Sequence, residues 1–123
     1  MSEHNDLGTL GEEIASRHLE EKSYHLLERN WRCGRLEVDI IVRDNDQLVI
    51  VEVKTRTAGF LGSLDELINK KKQKSLIRAA NAYIARTGID MEIRFDIIIV
   101  IFGSHREYKV HHIEGAFYPG VRS

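Results

Sequence analysis

Cysteine and proline are almost missing from this chain of 123 residues, which carries one of each, Cys33 and Pro119. A single thiol rules out an intramolecular disulfide and a cysteine-based zinc site. Arg32 and Arg35 stand close to Cys33 in sequence and could activate its thiol somewhat, but a lone cysteine carries no assignment by itself. The scarcity of proline, with 42% apolar and 30% charged residues, excludes the compositions of disordered and fibrous chains. Long apolar runs are missing too. The longest, residues 97–102, falls far short of the roughly 18 to 20 residues that a membrane span requires. The opening MSEHNDLGTLGEE has no basic stretch leading into an apolar one. The expected protein is cytoplasmic, makes no membrane contact, and folds as a single domain over residues 1–123.

Neither sign of charge dominates: the formal net charge is −1. The total decides little, because attraction to phosphates depends on local distribution. Across residues 54–78 seven cationic side chains (Lys54, Arg56, Lys70, Lys71, Lys72, Lys74 and Arg78) meet only Asp65 and Glu66, whereas the first 28 residues lean acidic. The middle of the chain is a basic zone.

Periodicity supplies the elements. Leu7, Leu10, Ile14, Ala15 and Leu19 recur at helical spacing, predicting a helix from Asp6, as N-cap, to about residue 22. Gly8 and Gly11 each cost roughly 1 kcal/mol in a helix interior, which points to a close approach by neighbouring backbone. Glu12 shares a line with Ala15 and Leu19 and so leans over the core side. Residues 24–32, 35–43 and 48–55 read as three strands, with a turn at Asp44-Asn45-Asp46. A small-residue loop over 57–63 leads to a helix from 64 to about 86, ending before Gly88. A strand over 93–102 is apolar on both faces, and 108–113 reads as a short edge strand. Strands apolar on both faces require helices on both sides of the sheet, and the strand–helix–strand step across 48–102 is a crossover expected to be parallel and right-handed. The result is an α/β fold with a mixed sheet.

The stretch LVIVEVKT, residues 48–55, ends this apolar pattern with charge. Alternation puts Glu52 and Lys54 on one face with Leu48 and Ile50, and Glu37, Asp39 and Ile41 together on the preceding strand. A two-residue or a four-residue turn sets Asp39 opposite Glu52 and Glu37 opposite Lys54. Carboxylates so opposed have Cβ atoms about 4.5–5.5 Å apart and repel. Two readings stand here. One is a solvated strand end with an ordinary Glu37–Lys54 pair. The other is a hard divalent cation between the carboxylates, with Lys54 beside it to orient water or steady growing negative charge during phosphate ester hydrolysis.

Asp39 followed a dozen positions later by Glu52-Val53-Lys54 resembles the core motif of the PD-(D/E)xK nuclease superfamily. Its restriction-endonuclease-like αβββαβ core matches the order read above. Across nearly its full length the chain resembles the bacterial UPF0102 (YraN-like) family, itself similar to archaeal Holliday junction resolvases. The matching elements are Gly8-x-x-Gly11-Glu12-x-x-Ala15, Arg29-Asn30-Trp31-Arg32, Glu37-Val38-Asp39-Ile40-Ile41, the stretch from Val51 to Arg56, Lys72-Gln73 with Ala80, Arg94-Phe95-Asp96-Ile97, and His112-Ile113 with Ala116-Phe117. The resemblance implies a Mg²⁺- or Mn²⁺-dependent endonuclease acting on DNA, including branched or processed forms. Asp39, Glu52 and the Val53 carbonyl would hold the metal, Lys54 would be the catalytic lysine, and Glu12 would reach the site from the first helix. Lys72 would meet substrate phosphates, and related resolvases act as dimers on two-fold junctions, so a homodimer is among the implied partners. The family usually reads Gly-Glu-x-Asp where this chain has Leu36-Glu37-Val38-Asp39.

Arg56 and the lysines Lys70, Lys71, Lys72 and Lys74 are candidate nucleic-acid contacts, although such a run is equally the solvated face of a helix. A catalytically silent nucleic-acid-binding module built on these lysines is the alternative function. Trp31 is a core residue or a base-stacking one. Asp96 caps or pairs with Arg94, or acts in catalysis. His111 and His112 point to opposite faces and share no metal.

Overall fold

The computed structural model describes residues 3–59 and 68–119. Its elements run α1 (Glu3–Glu21), β1 (His25–Cys33), β2 (Leu36–Asp44), β3 (Gln47–Thr57), α2 (Lys70–Thr87), β4 (Glu92–Phe102) and β5 (Tyr108–Phe117), with a short 3-10 turn Ser104–Arg106 before the last strand. The strands form one sheet in the order β1-β2-β3-β4-β5. β3 and β4 are parallel and the other neighbours antiparallel. This is the mixed, restriction-endonuclease-like α/β arrangement expected from the order of elements.

Strand alternation divides the core in two. Val49 and Val51 of β3 with Ile98 and Val100 of β4 pack beneath Ile14, Ala15 and Leu19 of α1. Leu48, Ile50, Phe95, Ile97 and Ile99 pack on the other side beneath Leu76, Ala79, Ala80 and Tyr83 of α2. Both faces of the two central strands are therefore covered, which explains their unbroken apolar runs. Each fully buried Leu or Ile contributes about 1.5–3 kcal/mol of transfer free energy. Among the described residues no helix is long and apolar enough to cross a membrane.

Several boundaries differ from expectation. Helix α1 begins at Glu3, so Asp6 is not its cap; it lies in the early turns, where an acidic side chain suits the positive helix pole. Helix α2 begins at Lys70, capped by Asn69, whose side chain accepts from the Lys72 amide at 2.8 Å. Gly88 closes it in the left-handed region, as its position just past the periodic residues predicted. The earlier helix start and most of the 57–63 loop lie outside the described residues, although Thr57 still belongs to β3. Strand β5 continues four residues past the expected 113 to Phe117. Gly115, at φ 59°, sits where the β4–β5 register shifts, so it marks a bulge rather than a strand end.

The two α1 glycines separate. Gly8 has open space where a β-carbon would be, whereas a β-carbon on Gly11 would collide with Thr55 Oγ1. The close approach is thus real at Gly11 and made by a side chain, not by backbone. Gly8→Ala should raise the unfolding free energy by several tenths to about 1 kcal/mol. Gly11→Ala should lower it, and Thr55→Ala should restore the Gly11→Ala protein; urea denaturation of the four proteins checks this.

Candidate active site

The β2–β3 hairpin turns on two residues, Asn45 and Asp46, with Asp44 opposite Gln47. Asn45 takes φ 55°, as a tight hairpin turn demands. That turn sets the register expected from the sequence, up to Ile40 opposite Val51. There the ladder stops. One step on, the Val53 amide donates to Asp39 Oδ2 at 2.8 Å, so a side-chain carboxylate occupies the place of a main-chain acceptor. In an extended strand a residue's N–H and C=O leave the same edge, which turns the Val53 carbonyl towards this opening too.

Asp39 lies two positions from Ile41, and Glu52 two from Ile50, both core residues of the α2 side. Glu52 is only 5% exposed. Its Oε2 is 3.3 Å from Lys54 Nζ on its own strand and 3.5 Å from Lys72 Nζ on the first turn of α2. The Asn69 cap fixes that turn, and with it the base of Lys72. Glu37 does not meet Lys54. Position 37 lies beyond the end of the β2–β3 ladder, and Glu37 pairs instead with Arg32 across β1–β2 at 3.6 Å.

Glu12 reaches the same region from α1. Partial burial raises its pKa; the nearby charge of Arg29 opposes this, Glu37 and Glu52 add to it, and a hydrogen bond with the Asn30 side chain opposes it. Asp39 is pushed up from an ordinary 3.8 to about 7. Desolvation is the largest cause, followed by the Glu52 charge; the Val53 amide pulls down, Glu12 pushes up, and Lys72 pulls down. Among the described residues no three His, Cys, Asp or Glu side chains gather as metal ligands. The available donors are two carboxylates and a main-chain carbonyl, a set that suits a hard cation retaining several waters.

A family model described as "Uncharacterised protein family UPF0102" matches residues 11–100. The chain belongs to UPF0102. A UPF0102 protein of Bacteroides thetaiotaomicron is 45% identical over 119 residues, covering 97% of this chain and 98% of its own. One of Flavobacterium psychrophilum is 44% identical over 118 residues, covering 96% and 98%.

In this UPF0102 chain the matched span contains Glu12, Asp39, Glu52, Lys54 and Lys72, which the fold gathers around the end of the β2–β3 ladder. Lys70, Lys71 and Lys74 are exposed, and Arg56 donates to the Thr55 carbonyl oxygen of its own strand at 2.8 Å. Trp31, partly buried, packs edge-on against Tyr83 of the core at 5.3 Å.

Asp96 lies on the opposite, α1 side of the sheet with Ile98. Its carboxylate is closed in by Arg94 Nε at 2.9 Å, Arg94 Nη2 at 3.0 Å, His112 Nε2 at 2.7 Å and the Gly115 amide at 3.0 Å. Burial pushes its pKa up, but these bonds outweigh burial and hold the carboxyl below its usual range. Arg94 also donates to Asp44, Gln47 and Tyr24. The pairing with Arg94 was legible from the two-residue spacing. The partners from four other segments were not, because only the sheet brings them together. Sequence reasoning also missed Arg29 and Asn30 as neighbours of Glu12.

A carboxyl raised on folding makes the folded state bind more protons, so stability falls as pH rises across that window. For Asp39 the window runs from 3.8 to about 7. In EDTA at pH 8, Asp39→Asn should be more stable than the parent by on the order of 2 kcal/mol, and little different at pH 4. Urea midpoints at the two pH values check this, and an Asn variant less stable at pH 8 contradicts it.

Proposed function

We propose that this protein is a divalent-metal-dependent endonuclease that hydrolyses DNA phosphodiester bonds, on branched or processed DNA. The observation that carries the reading is the Asp39–Glu52 pair at the opened ladder, with Lys54 and Lys72 both against Glu52. Asp39, Glu52 and the Val53 carbonyl would hold Mg²⁺ or Mn²⁺. When bound, the ion supplies a Lewis acid that makes water nucleophilic near neutral pH and offsets phosphate charge.

The chain's own groups do the rest. The Lys54 ammonium, tethered by Glu52, orients the attacking water and steadies the negative charge that grows on phosphorus-bound oxygen. Glu12 supplies a third acidic group from α1. Lys72 ties α2 to the site and meets a neighbouring phosphate. Lys70, Lys71 and Lys74 crowd the positive end of α2, whose first turn holds no acidic residue. That concentration of cations disfavours the isolated helix and favours an anionic partner, with affinity falling steeply in salt. A homodimer would suit a two-fold branched substrate.

Single-stranded, duplex, flap and four-way DNA incubated with Mg²⁺ or Mn²⁺ tests the proposal. The parent protein should cut at least one of them, and Asp39→Ala and Lys54→Ala should each slow cleavage by on the order of 10²-fold or more. Cleavage of none, or equal cleavage by all three proteins, overturns it. Salt-sensitive DNA binding that needs no metal and survives Asp39→Ala, without cleavage, would identify the silent binding module instead.

A further inference from the structure

Glu52 holds two partners of the same charge, and the inference drawn from this rests on the metal-dependent reading above. The residue is nearly closed off from water, and its Oε2 atom faces both ammonium groups, Lys54 at 3.3 Å and Lys72 at 3.5 Å. Both distances exceed the roughly 2.7–2.9 Å of a close charge-assisted hydrogen bond. They are loose ion pairs, held by charge more than by fixed geometry.

The two lysines are not equivalent. Lys54 stands two positions from Glu52 on β3, so strand alternation alone keeps it on the same face. Lys72 reaches Glu52 from α2, the helix packed over that face. Its side chain is 35% exposed against 24% for Lys54, so rotation about its flexible stem returns the ammonium to water. Its base stays in place meanwhile, because the Asn69 side chain holds the Lys72 amide. That base lies at the positive pole of α2, beside Lys70, Lys71 and Lys74. Glu52 is the counter-charge that favours the inward position there.

This balance is sensitive to a divalent cation at Asp39 and Glu52. With both lysines in place, the single negative charge of Glu52 already meets two positive ones. An ion of charge +2 within a few ångströms repels both ammonium groups, and partial burial screens that repulsion less than bulk water does. Of the two lysines, the one on the separate element has room to leave.

We propose that Lys72 is an exchangeable counter-ion of the site: its ammonium and the divalent cation compete for the Glu52 carboxylate. Lys72 thereby sets how tightly the site takes the ion. If Lys72 only tied α2 to Glu52, its removal would loosen that carboxylate and leave ion binding unchanged or weaker.

Free Mn²⁺ counted by electron paramagnetic resonance, with no DNA present, reads the competition directly. Lys72→Met keeps much of the apolar stem and removes the charge, and it should bind Mn²⁺ on the order of tenfold more tightly than the parent protein. Lys72→Gln should show the same direction with a different side chain. Arg78→Gln removes one positive charge from an exposed position further along α2 and should stay within about twofold of the parent. Cooperative thermal unfolding in EDTA verifies that each variant is folded. Unchanged or weaker Mn²⁺ binding in both Lys72 variants, or an equal gain in Arg78→Gln, overturns the exchange; DNA cleavage by the parent then leaves the nuclease reading standing. The expected gain in a protein that cuts no DNA supports the exchange and removes the nuclease reading alone. Mn²⁺ binding by none of the proteins overturns both.

Discussion

The candidate site depends on one hydrogen bond, the donation of the Val53 amide to Asp39 Oδ2. Had the hairpin continued as a ladder, main-chain oxygen would have taken that proton, and the Asp39 and Glu52 side chains would have faced each other as an unrelieved like-charge pair. Using the carboxylate as acceptor ends the ladder one step earlier. It anchors Asp39, satisfies a backbone donor and leaves the strand edge open beside the Val53 carbonyl.

The balance of charge at this opening explains what it lacks. Glu52 has two ammonium groups within 3.5 Å. Asp39 has one main-chain amide and a more distant lysine, against desolvation and two acidic neighbours, and the unfavourable side wins, driving its carboxyl to about 7. Asp96, more deeply buried than Asp39 at 1% exposure, has the reverse outcome because four bonds converge on it. The fully buried aspartate is thus satisfied by the fold, and the half-buried one is left short of positive charge. A divalent cation beside Asp39 would correct that shortage.

Much of this could be read from residues alone. The helix–strand order, the parallel β3–β4 step and the hairpin register followed from periodicity and from the Asp44-Asn45-Asp46 turn, since a two-residue period fixes which side chains share a face. Glu12 was legible through its spacing from Ala15 and Leu19. Local pattern failed where a residue's meaning is set across the sheet. The edge strand expected to end at 113 runs on through Gly115, a bulge whose amide donates to Asp96; Glu37 looked like a partner for Lys54 but sits beyond the ladder that would pair them. Asn30, at φ 53°, carried a signal, since asparagine is favoured at positive φ, but nothing local said that this position would lie within a strand. Asn69, too, could have marked the start of α2 as a capping residue.

The central claim is that Asp39 and Glu52 await a divalent cation. Thermal unfolding of the parent protein and Asp39→Asn across a titration of Mn²⁺ measures this without any substrate, because an ion that binds only the folded state raises its midpoint with concentration. The account predicts a rising midpoint for the parent and a flat one for the variant. A parent midpoint unmoved at millimolar Mn²⁺, or an equal rise in both proteins, would contradict it.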